Sequence, residues 1–466
     1  MGEVTENMSV KQNSKNKIPC LFFALIIILS SFLFAGCHGG DANGPNNSVD
    51  TQKPNQNIPN DPDFKYDEVR EYDWSGADFV LLCATGSENS DVFSLEESMA
   101  DEYDKQIVKR NEALCTKLNI TLKSKMVEDV ADYLIKADKA EEAPDLVYSN
   151  GGGGMSELML YGCLDDLYKY NDQSTTALGV SVSVVRQLSV YEKLYMLTGA
   201  PIRSSVERAY VVAYNTQMLR RIGYEDGYLC ELVLDGEWTV DKMNALAKQA
   251  QSMIDDDGFV SVAGTDASLY RMWQGLGAKT VEKLNGDVPS VSVYSPKNLF
   301  YFECVNHFSD NIGVADKGEH SLFYVGSVWE ATENYNCDFG ILPMPSYNND
   351  GEYTCVLDFE NTYFTALPKA ADNKQMSLDF LTEFYALSVD TVYPIITNRS
   401  FYKNQQVLDV ILKSRYFDFL DMYGIGHIVS TAFYAQTDTD DFDSLLSTRS
   451  KFAAEALDIA IRQTVG

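Results

Sequence analysis

Histidine is scarce in this chain of 466 residues, and its four copies are scattered, at His38, His307, His320 and His427. Their spacing excludes a metal-binding H-E-x-x-H helix, and no G-x-S-x-G nucleophile elbow is present. The glycine run at 151–154 and the acidic turn at 255–258 lack the spacing of a phosphate-binding loop or an EF-hand. We interpret both as turns. No motif predicts catalysis, a cofactor or a metal site.

Basic residues are also few, with 37 Lys and Arg against 68 Asp and Glu, for a formal net charge of −31. Residues 1–36 hold three Lys and two Glu, a charge of +1, so their removal leaves −32. A surface this acidic repels nucleic-acid phosphates and anionic lipid. Nucleic-acid binding and broad docking on a membrane surface are therefore disfavoured.

The first 37 residues have the three parts of a secretory signal. Lys11, Lys15 and Lys17 form a charged start, residues 18–35 carry no charge, and the stretch ends in Leu-Phe-Ala-Gly before Cys37. This ending resembles the bacterial lipobox, whose Cys is lipidated, and it departs from the pattern at Phe34. The alternative is an uncleaved anchor helix, since about 20 apolar residues span a bilayer. Either way, the rest of the chain is expected outside the cell at the membrane.

A linker and two domains are expected after Cys37. Residues 39–61 are rich in Asn, Gly, Pro and Asp, so we predict a flexible linker over residues 37–74. About 390 residues remain, which suits two domains of ordinary size. Seven further cysteines are widely spaced, odd in number and without a C-x-x-C pair. Neither a zinc site nor a disulfide framework is indicated, and we interpret most of them as small buried hydrophobes.

The first half of the chain alternates strand-like and helix-like patterns, which predicts a parallel sheet covered by helices. Strands are expected at 79–83, 120–126 and 145–148, and helices at 94–118, 128–142 and 155–170. Ligands bind beyond the carboxyl ends of strands in such sheets. The loops 84–89 and 149–154 are predicted to lie there.

The pattern changes near residues 198–201. Beyond this point we predict strands at 209–214, 339–342 and 363–367, and helices at 216–222, 239–254 and about 373–387. Thr239 is a plausible N-cap of its helix, with Asp241 in the first turn. The second half is therefore also mixed α/β.

Six phrases, in order, resemble the extracellular solute-binding proteins of ABC importers, family 1, the group that includes the maltose-binding protein. They are PDLVY at 144–148, KLYML at 193–197, VVAYN at 211–215, GEWTVD at 236–241, Phe323 with Gly326, and FGILPMP at 339–345. Each is weak alone, but their order behind a lipobox is fairly specific. The resemblance spans about Gly76 to the end of the chain.

The resemblance implies an α/β, type II-like periplasmic-binding-protein fold, in which hinge crossings join two lobes around a ligand cleft. The crossings would fall near 198–209 and 363–368. The N-terminal lobe would comprise 75–205 and about 365–412, and the C-terminal lobe 206–364 and about 413–466. The implied protein is a monomer, not an enzyme, that captures a sugar or oligosaccharide by hinge closure and delivers it to separate ABC permease subunits.

Members that bind sugars stack aromatic rings on sugar faces and bond the hydroxyls with polar side chains. Trp273 and Trp329 fall where members present such rings, although core positions are equally compatible, whereas Trp74 and Trp238 are expected to pack. The candidate polar contacts end predicted strands or precede a crossing: Tyr148, Ser149, Asn150, Glu88, Asn89, Asp358 and Glu360. Three alternatives stay open: a binding protein for peptides or other small polar solutes, a secreted carbohydrate-degrading enzyme with a carboxylate pair, and a surface adhesion module.

Overall fold

A computed structural model describes residues 72–85, 92, 102–137, 143–170, 182–256, 258–265, 267–284, 288–309, 312–313, 320–435 and 439–465. The predicted signal, Cys37, most of the linker, and the candidate residues Glu88 and Asn89 lie outside these ranges. Among the described residues, no helix is both long enough and apolar enough to cross a membrane.

The first sheet has four strands: β1 (Ala77–Ala84), β2 (Ile120–Val127), β3 (Leu146–Asn150) and, from much later in the chain, β12 (Tyr363–Ala366). Their order is β12-β3-β1-β2, with β2 and β3 parallel to β1 and β12 antiparallel to β3. The helices α1 (Glu102–Leu118) and α2 (Val130–Ala137) connect the parallel strands. The parallel sheet expected for the first half is thus present, with one late antiparallel strand at its edge.

The second sheet has five strands: β4 (Tyr210–Asn215), β5 (Val260–Gly264), β8 (Ile312–Gly313), β9 (Ser321–Ser327) and β10 (Phe339–Leu342). Their order is β10-β4-β9-β5-β8. Two smaller pairs complete the strands, β6 (Val281–Leu284) with β7 (Val288–Val291), and β11 (Cys355–Leu357) with β13 (Arg415–Phe417). β4 and β9 are buried along their whole length, so helices cover both faces of this sheet as well.

The remaining helices follow the chain as α3 (Ser156–Leu160), α4 (Val182–Leu188), α5 (Ser204–Glu207), α6 (Thr216–Arg221), α7 (Tyr228–Leu234), α8 (Val240–Met253), α9 (Ser268–Gly275), α10 (Pro296–Ser309), α11 (Val328–Asn334), α12 (Lys374–Asp390), α13 (Tyr393–Thr397), α14 (Gln405–Lys413), α15 (Phe419–Met422), α16 (His427–Ala435) and α17 (Thr439–Val465). Thr239 caps α8 as predicted, because its hydroxyl accepts a bond of 3.2 Å from the amide of Lys242.

One predicted helix is wrong. Residues 155–170 were expected to form a single helix, but α3 stops at Leu160 and the next regular turn is a 3-10 helix at Leu167–Tyr170. Gly162 takes a positive φ of 66° between them, and Leu164 pairs with Pro368 beyond β12. A left-handed glycine ends a helix readily, and the segment that follows is held by tertiary pairing instead.

Two segments of the chain connect the surroundings of β12 in the first sheet with β4 of the second sheet and with β11. Residues 198–209, the first crossing, begin after Leu197, which pairs with Thr365 of β12, and lead into β4. Residues 358–362, the second crossing, lead from β11 back to β12, and Leu357 pairs with Ala209. The second crossing therefore precedes the predicted 363–368, because residues 363–366 form a strand of the first sheet. The two crossings lie side by side.

The late helices divide between the sheets. α12 packs on α1 beside the first sheet, whereas α14, inside the range predicted for the N-terminal lobe, contacts α7 and β10 of the second. The long α17 contacts both α3 and β7. The C-terminal part of the chain therefore touches the elements around both sheets.

Candidate functional site

Trp329 lies above the first crossing with its ring 38% exposed. It is the second residue of α11, whose start is fixed by a capping box between Ser327 and Glu330. The amide of Val328 donates to the carbonyl of Ala209 at 3.0 Å, which ties the helix to the crossing. The backbone at Trp329 is therefore fixed at the carboxyl end of β9, while part of the residue's surface faces solvent.

Arg208 is the neighbour that shapes this aromatic surface. Its guanidinium carbon lies 4.3 Å from the centroid of the Trp329 ring, within the range of a cation–π contact. Arg208 is 8% exposed, so most of the side chain is buried in the first crossing. Arg208 is not among the predicted contact residues, although its position just before a predicted strand, within a predicted crossing, could have indicated it.

Asp358 and Glu360 occupy the second crossing next to Arg208. The amide of Asp358 donates to the carbonyl of Arg208 at 3.0 Å. The Asp358 carboxylate accepts from the side-chain amide of Asn361 at 2.7 Å and is half-buried, whereas Glu360 is exposed. The backbone bond between Asp358 and Arg208 thus places the second crossing, which carries both predicted carboxylates, beside the first crossing.

The glycine run after β3 allows the second crossing to approach the first sheet. A Cβ on Gly151 would lie 2.2 Å from the carbonyl oxygen of Phe359, which no side chain could tolerate. The amide of Gly152 donates to the carbonyl of Glu360 at 3.0 Å. Asn150, half-buried, folds its side chain over Gly153. The run is a close-packed turn that places Asn150 near the second crossing.

Three predicted contact residues lie in the core instead. Trp273 is 0% exposed, its ring is packed against Tyr270 and Phe433, and its indole nitrogen donates to the carbonyl of Asn298 at 2.8 Å. Tyr148 and Ser149 are also fully buried, and Tyr148 stacks on Tyr363 at 4.9 Å between ring centroids. These side chains have no exposed surface that a solute could contact. The structure therefore gives them packing contacts in the core in place of the predicted ligand contacts.

Behind the crossings, a buried polar network holds β13 and α15 against α9. The Asp418 carboxylate accepts from the hydroxyl of Tyr270 at 2.6 Å and from the side-chain amide of Gln274 at 2.5 Å. Arg271 pairs with Asp421 at 3.1 Å. Burial raises the pKa of the Asp421 carboxyl above its ordinary value, although Arg271 opposes this shift. None of these residues was predicted, because nothing local in the sequence links α9 to residues 144 to 150 positions later.

The crossing site, defined as Asn150, Arg208, Trp329, Asp358 and Glu360, offers an aromatic face, a cation and carboxylate and amide groups. This combination suits a solute with alternating apolar faces and hydroxyls, since rings cover the faces and polar groups bond the hydroxyls. Across the described ranges, no three His, Cys, Asp or Glu side chains cluster as a metal site.

Comparison with known proteins identifies the fold. No protein-family model matches the chain. No curated protein sequence matches it either. An ABC substrate-binding protein from Listeria monocytogenes, solved in complex with cycloalternan, is 13% identical and superposes with a TM-score of 0.52 over 83% of this chain and 98% of its own. A cyclo/maltodextrin-binding protein complexed with maltotetraose is 13% identical, with a TM-score of 0.53 over 84% of this chain and 98% of its own.

These similarities define the class of fold: the chain has the mixed α/β, two-lobed fold of periplasmic sugar-binding proteins. The two sheets and the paired crossings are the parts of the structure that correspond to this description. The fold predicted from the sequence is confirmed.

Proposed function

We propose that the chain is an extracellular solute-binding lipoprotein of ABC-importer family 1 that binds a sugar or oligosaccharide between its lobes. The observation that carries the proposal is the exposed ring of Trp329 against the guanidinium of Arg208, whose backbone carbonyl accepts from the amide of Asp358 in the second crossing. Cycloalternan and maltotetraose, the solutes bound by the two similar structures, suggest glucose oligosaccharides as first candidates. Transfer to ABC permease subunits would follow closure.

Calorimetric titration of the full-length chain, purified in detergent, tests this function. We expect saturable binding of maltotetraose or another oligosaccharide at one site, with no cleavage detected by chromatography after prolonged incubation. A matched panel of short peptides is the comparison. Saturable peptide binding without oligosaccharide binding would change the solute class, and release of shorter sugars would contradict the assignment as a binding protein.

The lobe limits form part of the proposal. We assign residues 75–205 with β12, α12 and α13 to the N-terminal lobe, and residues 206–357 with α14 to the C-terminal lobe. We assign β12 to the N-terminal lobe because it is a strand of the first sheet. We assign α14 to the C-terminal lobe because it contacts α7 and β10. Ligand-driven closure would then change the angle between the two sheets around the paired crossings.

A prediction concerns Cys37, which we propose to be the lipidated residue. In cells, Cys37→Ser should move the protein from the membrane fraction to the soluble fraction, because only the lipid holds it there. Immunoblotting of fractionated cells measures this, together with incorporation of a labelled fatty acid. Cys20→Ser, within the apolar run, is the control and should leave both unchanged. Membrane attachment of the Cys37 variant would indicate an uncleaved anchor helix instead.

A further inference from the structure

A cavity that Trp329 does not line lies where four segments of the chain meet. Its volume is about 200 Å³, and it is lined by residues of α4, the turn after α9, the approach to β11, and the junction of α14 with β13: Ser183, Gln187, Gly277, Ala278, Lys279, Tyr353, Thr354, Lys413, Ser414, Arg415 and Tyr416. It shares no residue with the crossing site.

The charge of this cavity is opposite to that of the chain. Lys279, Lys413 and Arg415 contribute to the lining, and no Asp or Glu does. The chain as a whole has nearly two acidic residues for each basic one, 68 against 37. The lining therefore has a positive formal charge in an acidic chain, while burial, together with the nearby carboxylates of Asp418, Asp421 and Glu282, raises the pKa of the lining residue Tyr416.

Arg415 is a buried cation that lacks a carboxylate partner. It is 8% exposed, its Nε donates to the carbonyl of Leu412 at 2.9 Å, and its Nη1 donates to the carbonyl of Ser205 at 2.8 Å. Within the described part of the chain it forms no ion pair. Burial lowers the pKa of its guanidinium. A buried charge without a counter-ion is costly, and a bound anion would offset that cost.

We propose that this cavity binds a small oxyanion of the phosphate or sulfate class. A guanidinium and two ammonium groups are the groups proteins use for such anions, because they donate several charge-assisted hydrogen bonds. The volume admits one tetrahedral anion with bound water, since a water molecule occupies about 30 Å³. Because Arg415 donates to the carbonyl of Ser205 in the first crossing, the anion would bind beside that crossing rather than at the crossing site.

The test is calorimetric titration of the full-length chain, in detergent, with sodium sulfate and with inorganic phosphate at constant ionic strength. Wild type should bind at least one of the two saturably. Lys279→Gln/Lys413→Gln should weaken that binding by about tenfold or more, because two charged donors are lost. Both lysines are exposed, so folding should be preserved, and circular dichroism checks this.

The matched control is Lys105→Gln/Lys109→Gln, which removes the same charge from the exposed face of α1. It should leave anion affinity unchanged. The proposal is overturned if wild type shows no saturable binding, if the cavity variant binds as wild type does, or if both double variants weaken binding equally, which would indicate nonspecific screening. Solute binding at the crossing site should survive in both variants, so the two sites fail independently.

Discussion

Asp418→Ala should lower the free energy of unfolding by about 4 kcal/mol, because it leaves several buried donors without an acceptor. The Asp418 carboxylate is fully buried and accepts from Tyr270 at 2.6 Å, Gln274 at 2.5 Å, Thr280 at 2.5 Å and the amide of Leu420 at 3.0 Å. Urea unfolding followed by circular dichroism measures the loss. The large effect is expected because this one side chain, between β13 and α15, forms hydrogen bonds to two side chains of α9.

Asp458→Ala is the matched control for this substitution. Asp458 forms an exposed i,i+4 pair with Arg462 at 2.7 Å on α17, and its loss should change the free energy of unfolding by no more than about 0.5 kcal/mol. If Asp418→Ala were as mild as this control, the buried network would not anchor the C-terminal segment. Asp418→Asn, which keeps the shape but loses the charge, should fall between the two.

The second large effect is expected on binding. Trp329→Ala should weaken oligosaccharide affinity by about 100-fold, the cost of removing a central aromatic contact, while the free energy of unfolding falls by no more than about 1 kcal/mol. The ring is 38% exposed, and its main described contact is the guanidinium of Arg208. Calorimetric titration with maltotetraose, or with whichever oligosaccharide the wild type binds, gives the first quantity, and urea unfolding gives the second.

Trp273→Ala is the comparison for Trp329→Ala. Because its ring is enclosed by Tyr270 and Phe433, its removal should lower the free energy of unfolding by about 3–5 kcal/mol through the cavity left behind. Any protein that remains folded should keep its affinity within a few fold. The opposite pattern, with affinity lost at Trp273 and stability lost at Trp329, would contradict the placement of the crossing site.

The sequence predicts the regular elements well where a pattern is local. Strand β10 and helix α8 follow from short apolar runs and from a Thr N-cap, both of which depend on neighbours within a few positions. The end of α3 at Leu160 was not predicted, because the segment that follows is held by the pairing of Leu164 with Pro368, some 200 positions later. Long-range pairing of this kind has no local signature.

The candidate site, too, could be predicted from the sequence only in part. Trp329 was predicted from its place after a strand, yet Trp273 had an equally suggestive context and is buried. The two differ only in what packs on them, and the aromatic neighbour Phe433 comes 160 positions after Trp273. The role of Arg208 likewise depends on the position of α11 above the first crossing. Residue type and local spacing could identify these side chains as candidates but could not show which of them are exposed and which are buried.

The capping box at Ser327 has a consequence for how tightly a guest can be held. Ser327, Glu330 and the bond from Val328 to Ala209 fix the start of α11, and the guanidinium of Arg208 packs on the indole of Trp329. A guest that contacts this ring meets a side chain already packed on Arg208, which reduces the ordering penalty of about 0.5–1.5 kcal/mol that a freely rotating side chain would impose. Preorganisation of this kind favours affinity from a single ring, in a chain that contains only four tryptophans.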